Sequence, residues 1–208
     1  CARARFTLHR LDGVSLPIAL RLPGEHHVAN ALAAGAAGTA IGISPEGIAY
    51  GLQNFQPTEM RSEWIRCAGV SILHDAYNSS PTSCSAALDT LSSISTKGRR
   101  VAVLGPMREL GPAEESGHRD IGRRVADSAV DVLITALTPA DLIGAEALKS
   151  GFPAGAYRHF EDLDEQCHNL PTSIRAGDVV LVKASRSCQF ERCVDAICAS
   201  PGREGGEV

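Results

Sequence analysis

The sequence predicts an α/β protein: a doubly wound, mostly parallel domain over residues 62–208, preceded by a smaller unit over residues 1–61. Three observations predict this. Short apolar runs recur from Val70 onward, each followed by a helix-like stretch. Those runs are continuous rather than alternating, which suits strands of a parallel sheet covered on both faces. Before residue 61 the pattern differs, with an alternating stretch and then an alanine-rich one.

The elements follow in order. Phe6-Thr7-Leu8 is a short strand candidate, and Leu16, Ile18, Leu20 and Leu22 alternate with Ser15, Pro17, Ala19 and Arg21, so residues 6–22 read as β structure. Pro23-Gly24 ends it. His26 to Ile41 reads as a helix whose many small residues allow close packing, stopped by Gly42. Ser44-Pro45-Glu46 starts a second helix running to about Leu52, with Ser as N-cap and Pro at the first helical position. Phe55 to Thr58 reads as a boundary. Beyond it the strand candidates are 70–75, 100–104, 130–135, 156–159 and 178–183. The helix candidates are 81–92, 113–127, 139–149, 162–169 and 188–198. The tail from Pro201, rich in Gly and Glu, is expected to fray.

Bulk properties exclude several classes. Of 208 residues 44% are hydrophobic and 21% charged, which is ordinary for a globular chain. The net charge of -4 argues against a general nucleic-acid or anionic-membrane surface. No apolar run approaches the ~20 residues of a membrane span, and no signal peptide is visible. The seven cysteines are scattered singly, without CxxC pairs, which argues against a disulfide framework and a zinc site. Cys188, Cys193 and Cys198 step about 140° around a helix and share no face. A reducing cytoplasm is the expected home. Because the chain begins at Cys1, a fragment, processed product or isolated domain is expected.

Four constellations carry candidate chemistry. In Gly24-Glu25-His26-His27-Val28-Ala29-Asn30, residues 26 and 30 share a helix face, and an asparagine there can read a base; taken alone, the segment is read more readily as a capped helix start with a solvated His pair. Arg61, just past the boundary, suits a phosphate or ribose, or an inter-domain salt bridge. In His74-Asp75-Ala76-Tyr77-Asn78-Ser79-Ser80-Pro81, a strand hands over to a helix, where open sheets bind ligands. Asp75 could take ribose hydroxyls, Asn78 an adenine edge, and Tyr77 could stack. Alternatively Asp75 and Asn78 cap the turn, with Ser80 as N-cap. Lastly, the strand ending at Val182 delivers Lys183, Ala184, Ser185 and Arg186, suited to a carboxylate or phosphate, or simply a solvated loop. The Gly/Pro-bounded loop 104–111, with His118 beyond, names no chemistry alone. Neither a Gly-x-x-x-x-Gly-Lys phosphate loop nor a Gly-x-Gly-x-x-Gly fingerprint is present.

Taken together, these segments resemble the Mur ligases, ATP-dependent enzymes that build the peptide stem of bacterial peptidoglycan. Gly24-x-His26-His27-x-x-Asn30-Ala31-Leu32-Ala33-Ala34 is similar to the family's G-x-H-N-x-x-N-A-x-A-A. Asp75 to Pro81 resembles D-S-Y-N-A-N-P, Leu104 to Gly111 resembles L-G-D-M-x-E-L-G, and Leu181 to Arg186 resembles L-V-K-G-S-R. His118 matches a family histidine. Tyr77-Asn78 favours, within the family, the branch that joins D-Ala-D-Ala to a UDP-MurNAc-tripeptide.

The resemblance implies that residues 1–61 end the central ATPase domain and that 62–208 form a Rossmann-like C-terminal domain. It implies ATP contacts at His26, Asn30, Arg61, Asp75, Tyr77 and Asn78, and a catalytic loop at Lys183, Ser185 and Arg186. It implies ATP and Mg²⁺ as cofactors and an acyl-phosphate mechanism, with the phosphate loop and metal ligands in an N-terminal part of the same protein. The expected partners are the UDP-MurNAc-tripeptide, D-Ala-D-Ala and that N-terminal part, with no nucleic acid and no membrane. The isolated chain is expected to be inactive. A folylpolyglutamate synthase-type amide ligase, or a non-enzymatic ligand-binding module, are the alternatives. His27, Met60, His74, Pro106 and Ala184 depart from the family pattern, standing where Asn, Gly, Asp, Asp and Gly are usual.

Overall fold

The computed structural model describes residues 4–199; Cys1 and the tail from Pro201, on which expectations were placed above, lie outside the described residues. The chain divides into two compact units, Cys1–Thr58 and Glu59–Val208.

In the first unit, β1 (Arg5–His9) and β2 (Ser15–Ala19) form an antiparallel hairpin in register from Arg5↔Ala19 to His9↔Ser15. Two helices follow, α1 (Glu25–Ala40) and α2 (Pro45–Asn54). Gly24 precedes α1 at φ +102°, a conformation that favours glycine. Ser44 caps α2 by accepting from the Gly47 amide, as its Ser-Pro-Glu start predicts.

The small core of this unit gathers Leu8, Ile18, Leu20 and Ala31. Close packing by α1 is real. A Cβ on Gly35 would stand 2.9 Å from Leu8 Cδ1, and one on Gly38 3.2 Å from Ile48 Cγ1. Only Ala31, Gly35 and Gly38 of α1 are buried, a single narrow stripe. Leu11, Leu32, Ile41, Ile43, Tyr50 and Phe55 are exposed, so six of the eight exposed large apolar side chains among the described residues lie in this unit.

The second unit is a six-stranded sheet of order β3-β4-β8-β5-β6-β7. Its strands are β3 (Glu63–Cys67), β4 (Val70–His74), β5 (Arg100–Leu104), β6 (Val132–Ala136), β7 (Tyr157–Phe160) and β8 (Val179–Lys183). All neighbours run parallel except the β3–β4 hairpin. The helices are α3 (Pro81–Ser93), α4 (Glu114–Ala126), α5 (Asp141–Lys149), α6 (Leu163–Ser173) and α7 (Glu191–Cys198).

Alternate residues of the continuous strands serve opposite faces. Leu73, Ala102, Leu104, Leu133, Val179 and Leu181 join a core with α3, α4 and α5. Ile72, Val101, Val103, Ile134, Val180 and Val182 join a second core with α6 and α7. The sheet is therefore covered on both sides, as the uninterrupted apolar runs require.

Two findings differ from the sequence reading. Strand β3 was not expected: Glu-Trp-Ile-Arg-Cys mixes polar and apolar residues at a sheet edge, where one neighbour suffices and the residues are half-buried or exposed. Cys67 and Cys198 are joined as a disulfide, against the expectation of none, with Cα atoms 5.2 Å apart and 131 residues between them. Cysteine spacing cannot reveal such a pair, because the end of β3 meets the end of α7 only through the tertiary fold.

Candidate nucleotide-facing edge

The site residues of the second unit collect at the carboxyl ends of β4, β8 and β5. Ladder-type bonds continue past the strand ends and hold the following loops together. The Asp75 amide donates to Val182 O at 2.9 Å, the Gly105 amide to Lys183 O at 2.9 Å, and the Ser185 amide to Pro106 O at 3.0 Å. Because β8 lies between β4 and β5, Lys183 emerges in the middle of this edge.

Lys183 is 2% exposed. Its Nζ donates to Asp75 Oδ2 at 2.6 Å and to the Asn78 carbonyl at 2.9 Å. The other carboxylate oxygen, Asp75 Oδ1, accepts from the Ser62 amide at 2.9 Å. Both oxygens of Asp75 are thus engaged within the protein. Asp75 and Lys183 meet as a buried latch that fixes the turn after β4.

The hairpin of β3 and β4 explains Ser62. Its register pairs Glu63 with His74, so the preceding Ser62 falls opposite Asp75. Sequence reasoning missed Ser62 because it missed β3. The Tyr77 amide also donates to Met60 O at 3.1 Å, lacing the 60–62 turn to the 75–78 turn. Met60 stands at φ +59°, the left-handed region that favours glycine, at a position where the family pattern has glycine.

Three predicted contact residues stay on the surface. Tyr77 and Asn78 are exposed, as is Arg61, whose guanidinium carbon lies 4.1 Å from the Tyr77 ring centroid. Asn78 Oδ1 accepts from the Ser79 amide. Ser80 caps α3 in a reciprocal box with Ser83, as the cap reading of this segment expects.

The loop residues differ among themselves. Ser185 is buried, and its hydroxyl accepts from the Arg108 amide at 2.8 Å, tying the β5 loop to the β8 loop. Arg186 is exposed and pairs with Glu191 Oε1 at 2.6 Å. Asp178, at the opposite end of β8, is a structural anchor that takes a 2.6 Å bond from Arg99 Nη2.

Two histidines are buried here. His118 Nε2 accepts from the Met107 amide at 2.9 Å, and Nδ1 lies 2.6 Å from Glu114 O, so the ring is a neutral Nδ1–H tautomer that orders the β5 loop. Burial holds its pKa below the usual imidazole value. His74 is likewise held down by burial, although Glu63, Glu191, Asp195 and Asp75 all pull the other way; its Nδ1 lies 3.6 Å from Glu63 Oε2.

His26 and Asn30 belong to the first unit. Both are on α1, one turn apart, with Asn30 exposed and His26 half-buried; the His26 and His27 ring centroids are 4.0 Å apart. Among the described residues, no three of His, Cys, Asp and Glu converge on a point that could hold a metal. The edge does not fit Mg²⁺ either, since the carboxylate at its centre is neutralised by Lys183. No described helix is long and apolar enough to cross a membrane.

The profile of the family described as "Mur ligase, glutamate ligase domain" matches residues 60–186, more than half of the chain. The UDP-N-acetylmuramoyl-tripeptide–D-alanyl-D-alanine ligase of Bacillus subtilis is 35% identical over 192 residues, covering 92% of this chain and 42% of that protein. Its Escherichia coli counterpart is 32% identical over 195 residues, covering 92% and 41%. The chain therefore spans about two fifths of these relatives.

Among solved structures, MurF from Acinetobacter baumannii superposes with a TM-score of 0.79 at 30% identity, covering 94% of this chain and 42% of that one. MurF from Thermotoga maritima, solved in complex with ADP, shares the fold with a TM-score of 0.76 at 22% identity, covering 94% and 43%. With a family profile matched over more than half of its length, this chain belongs to the Mur ligase family.

Proposed function

We propose that this chain is part of an ATP-dependent carboxylate–amine ligase that joins D-Ala-D-Ala to a UDP-MurNAc-tripeptide in peptidoglycan synthesis. The observation that carries the reading is the turn after β4. There Tyr77, Asn78 and Arg61 are exposed side by side on a backbone held rigid by the Asp75–Lys183 latch. An aromatic face with an adjacent amide and guanidinium suits a purine nucleoside: the ring stacks on the base, the amide meets its polar edge, and the guanidinium meets a ribose or phosphate oxygen. The names of the relatives, all D-Ala-D-Ala ligases in the range of 32–35% identity, favour that acceptor over a folylpolyglutamate-type one.

In this reading Lys183 and Ser185 act by shaping the edge, and Arg186 is the cation that faces the reacting groups. ATP, when bound, supplies the phosphoryl group that activates the tripeptide carboxylate. The residues of this chain hold its base and ribose, while the phosphate cradle and Mg²⁺ ligands come from an N-terminal part of the same protein. The exposed Leu32, Ile41, Ile43, Tyr50 and Phe55 of the first unit support such a partner surface. A cytoplasmic location belongs to the same proposal.

Calorimetric titration of ATP into the 208-residue chain tests the nucleotide edge. Weak binding is expected, and Tyr77→Ala should weaken it about 5- to 150-fold, the worth of one base–aromatic stack. Binding that is absent, or that ignores Tyr77→Ala, defeats the reading. A phosphate-release assay with both substrates should show no turnover by this chain alone.

A further inference from the structure

The sheet face covered by α6 and α7 holds most of the sulfur. Cys188 and Cys193 are buried in that core, and Cys67, Cys167 and Cys198 pack against it. Cys67 and Cys198 are bonded to each other, whereas Cys167 and Cys193 are not, although their Sγ atoms are only 3.9 Å apart. Cys167 lies on α6 and Cys193 on α7, two helices that pack on one another. The two differ in access: Cys167 is partly exposed and Cys193 fully buried.

We propose that Cys167 and Cys193 form a dithiol site for thiol–disulfide exchange with small-molecule disulfides of the glutathione type, in which Cys167 is the entry thiol and Cys193 the resolving thiol. Access decides the roles, since a bulky disulfide reaches Cys167 and not Cys193. The local chemistry agrees. Contact with Cys193 Sγ lowers the Cys167 thiol, and the Arg192 guanidinium adds to this against an opposing effect of burial. The same contact and burial push Cys193 up. Of the two, Cys167 is the one on which the nucleophilic thiolate forms more readily.

The steps balance. The Cys167 thiolate attacks one sulfur of the disulfide, forming a mixed disulfide and releasing one thiolate. Cys193 then attacks Cys167 Sγ, its proton passing to the departing glutathione sulfur, which forms the Cys167–Cys193 bond and releases the second thiol. Two protein thiols are oxidised, and one disulfide is reduced to two thiols. The sulfurs must close from 3.9 Å to about 2 Å, within reach of side-chain rotation. The closed pair fastens α7 to α6, as Cys67–Cys198 fastens it to β3.

The test incubates the full chain with oxidised glutathione and maps its sulfurs by mass spectrometry. Trypsin followed by Asp-N separates Cys193 from Cys198, because Asp195 lies between them. A Cys167–Cys193 link is expected, preceded in a time course by a glutathione adduct on Cys167. In Cys193→Ser the adduct on Cys167 should persist; in Cys167→Ser, Cys193 should stay unmodified. Circular dichroism checks folding, Cys193→Ala replaces a serine variant that does not fold, and the wild-type time course needs no variant. Three results each overturn the proposal: no link in the wild type, a Cys193 bonded elsewhere, or an adduct that forms first on Cys193.

Discussion

The buried pair of Lys183 and Asp75 should dominate the stability of the second unit in an asymmetric way. Asp75→Asn removes the charge that opposes an ammonium whose side chain is 2% exposed, and sets an amide NH2 against either that ammonium or the Ser62 amide. An uncompensated buried charge costs about 3–5 kcal/mol. Lys183→Met instead leaves a carboxylate that is 17% exposed and still accepts from the Ser62 amide. Water can reach that carboxylate, so the loss should be nearer the about 1–3 kcal/mol of an unsatisfied group. The double variant removes both charges and should cost less than the sum, with a coupling energy of about 1.5 kcal/mol or more. Urea unfolding followed by fluorescence measures this, because Trp64 is the sole tryptophan, lies in β3 and so reports on this unit. The comparison holds if the slope with urea is unchanged among variants. Single costs both below about 1 kcal/mol, or strict additivity, would refute the buried latch.

Three further outcomes are expected. His118 has a folded pKa held below its ordinary 6.5, so its stabilising contribution is complete above pH 6.5 and is lost as pH falls through the folded value. His118→Leu should flatten the acid limb of a stability–pH series and cost about 1–3 kcal/mol at pH 7.5, where the Met107 amide loses its acceptor; an unchanged acid limb would contradict this. Gly122→Ala should destabilise by about 1–3 kcal/mol in thermal melts, since its Cβ would lie 2.4 Å from Ile143 O and 3.0 Å from Ala147 N. Gly51→Ala, with nothing within 4 Å, should be neutral or stabilising. Cys198→Ser opens a loop closed across 131 residues and should cost up to about 5 kcal/mol, with a reducing agent lowering the melting temperature of wild type but not of the variant.

Much of the fold was legible because the relevant signals are local. The parallel strands are runs such as Val101-Ala102-Val103-Leu104, and the structure places them at 100–104 and 179–183, within a residue of expectation. The Ser44 and Ser80 caps were readable from Ser-Pro steps. The edge strand β3 was not, because a half-exposed edge strand needs no continuous apolar run. Missing it hid the approach of Ser62 to Asp75 and of Cys67 to Cys198.

The doubly wound class and the family were legible in the chain alone, and the strand ends were where chemistry was expected, since periodicity, caps and motif order are properties of neighbouring residues. What each residue does at those ends was decided by tertiary structure. Asp75 and Lys183 read alike as ligand-binding groups, yet they are 108 residues apart and meet only because β8 inserts between β4 and β5. Once they meet, with the ammonium shielded from water, each is the other's best partner. The surface is left to Tyr77, Asn78 and Arg61. The cysteines teach the same lesson: their spacing was silent, and the packing of β3, α6 and α7 paired them.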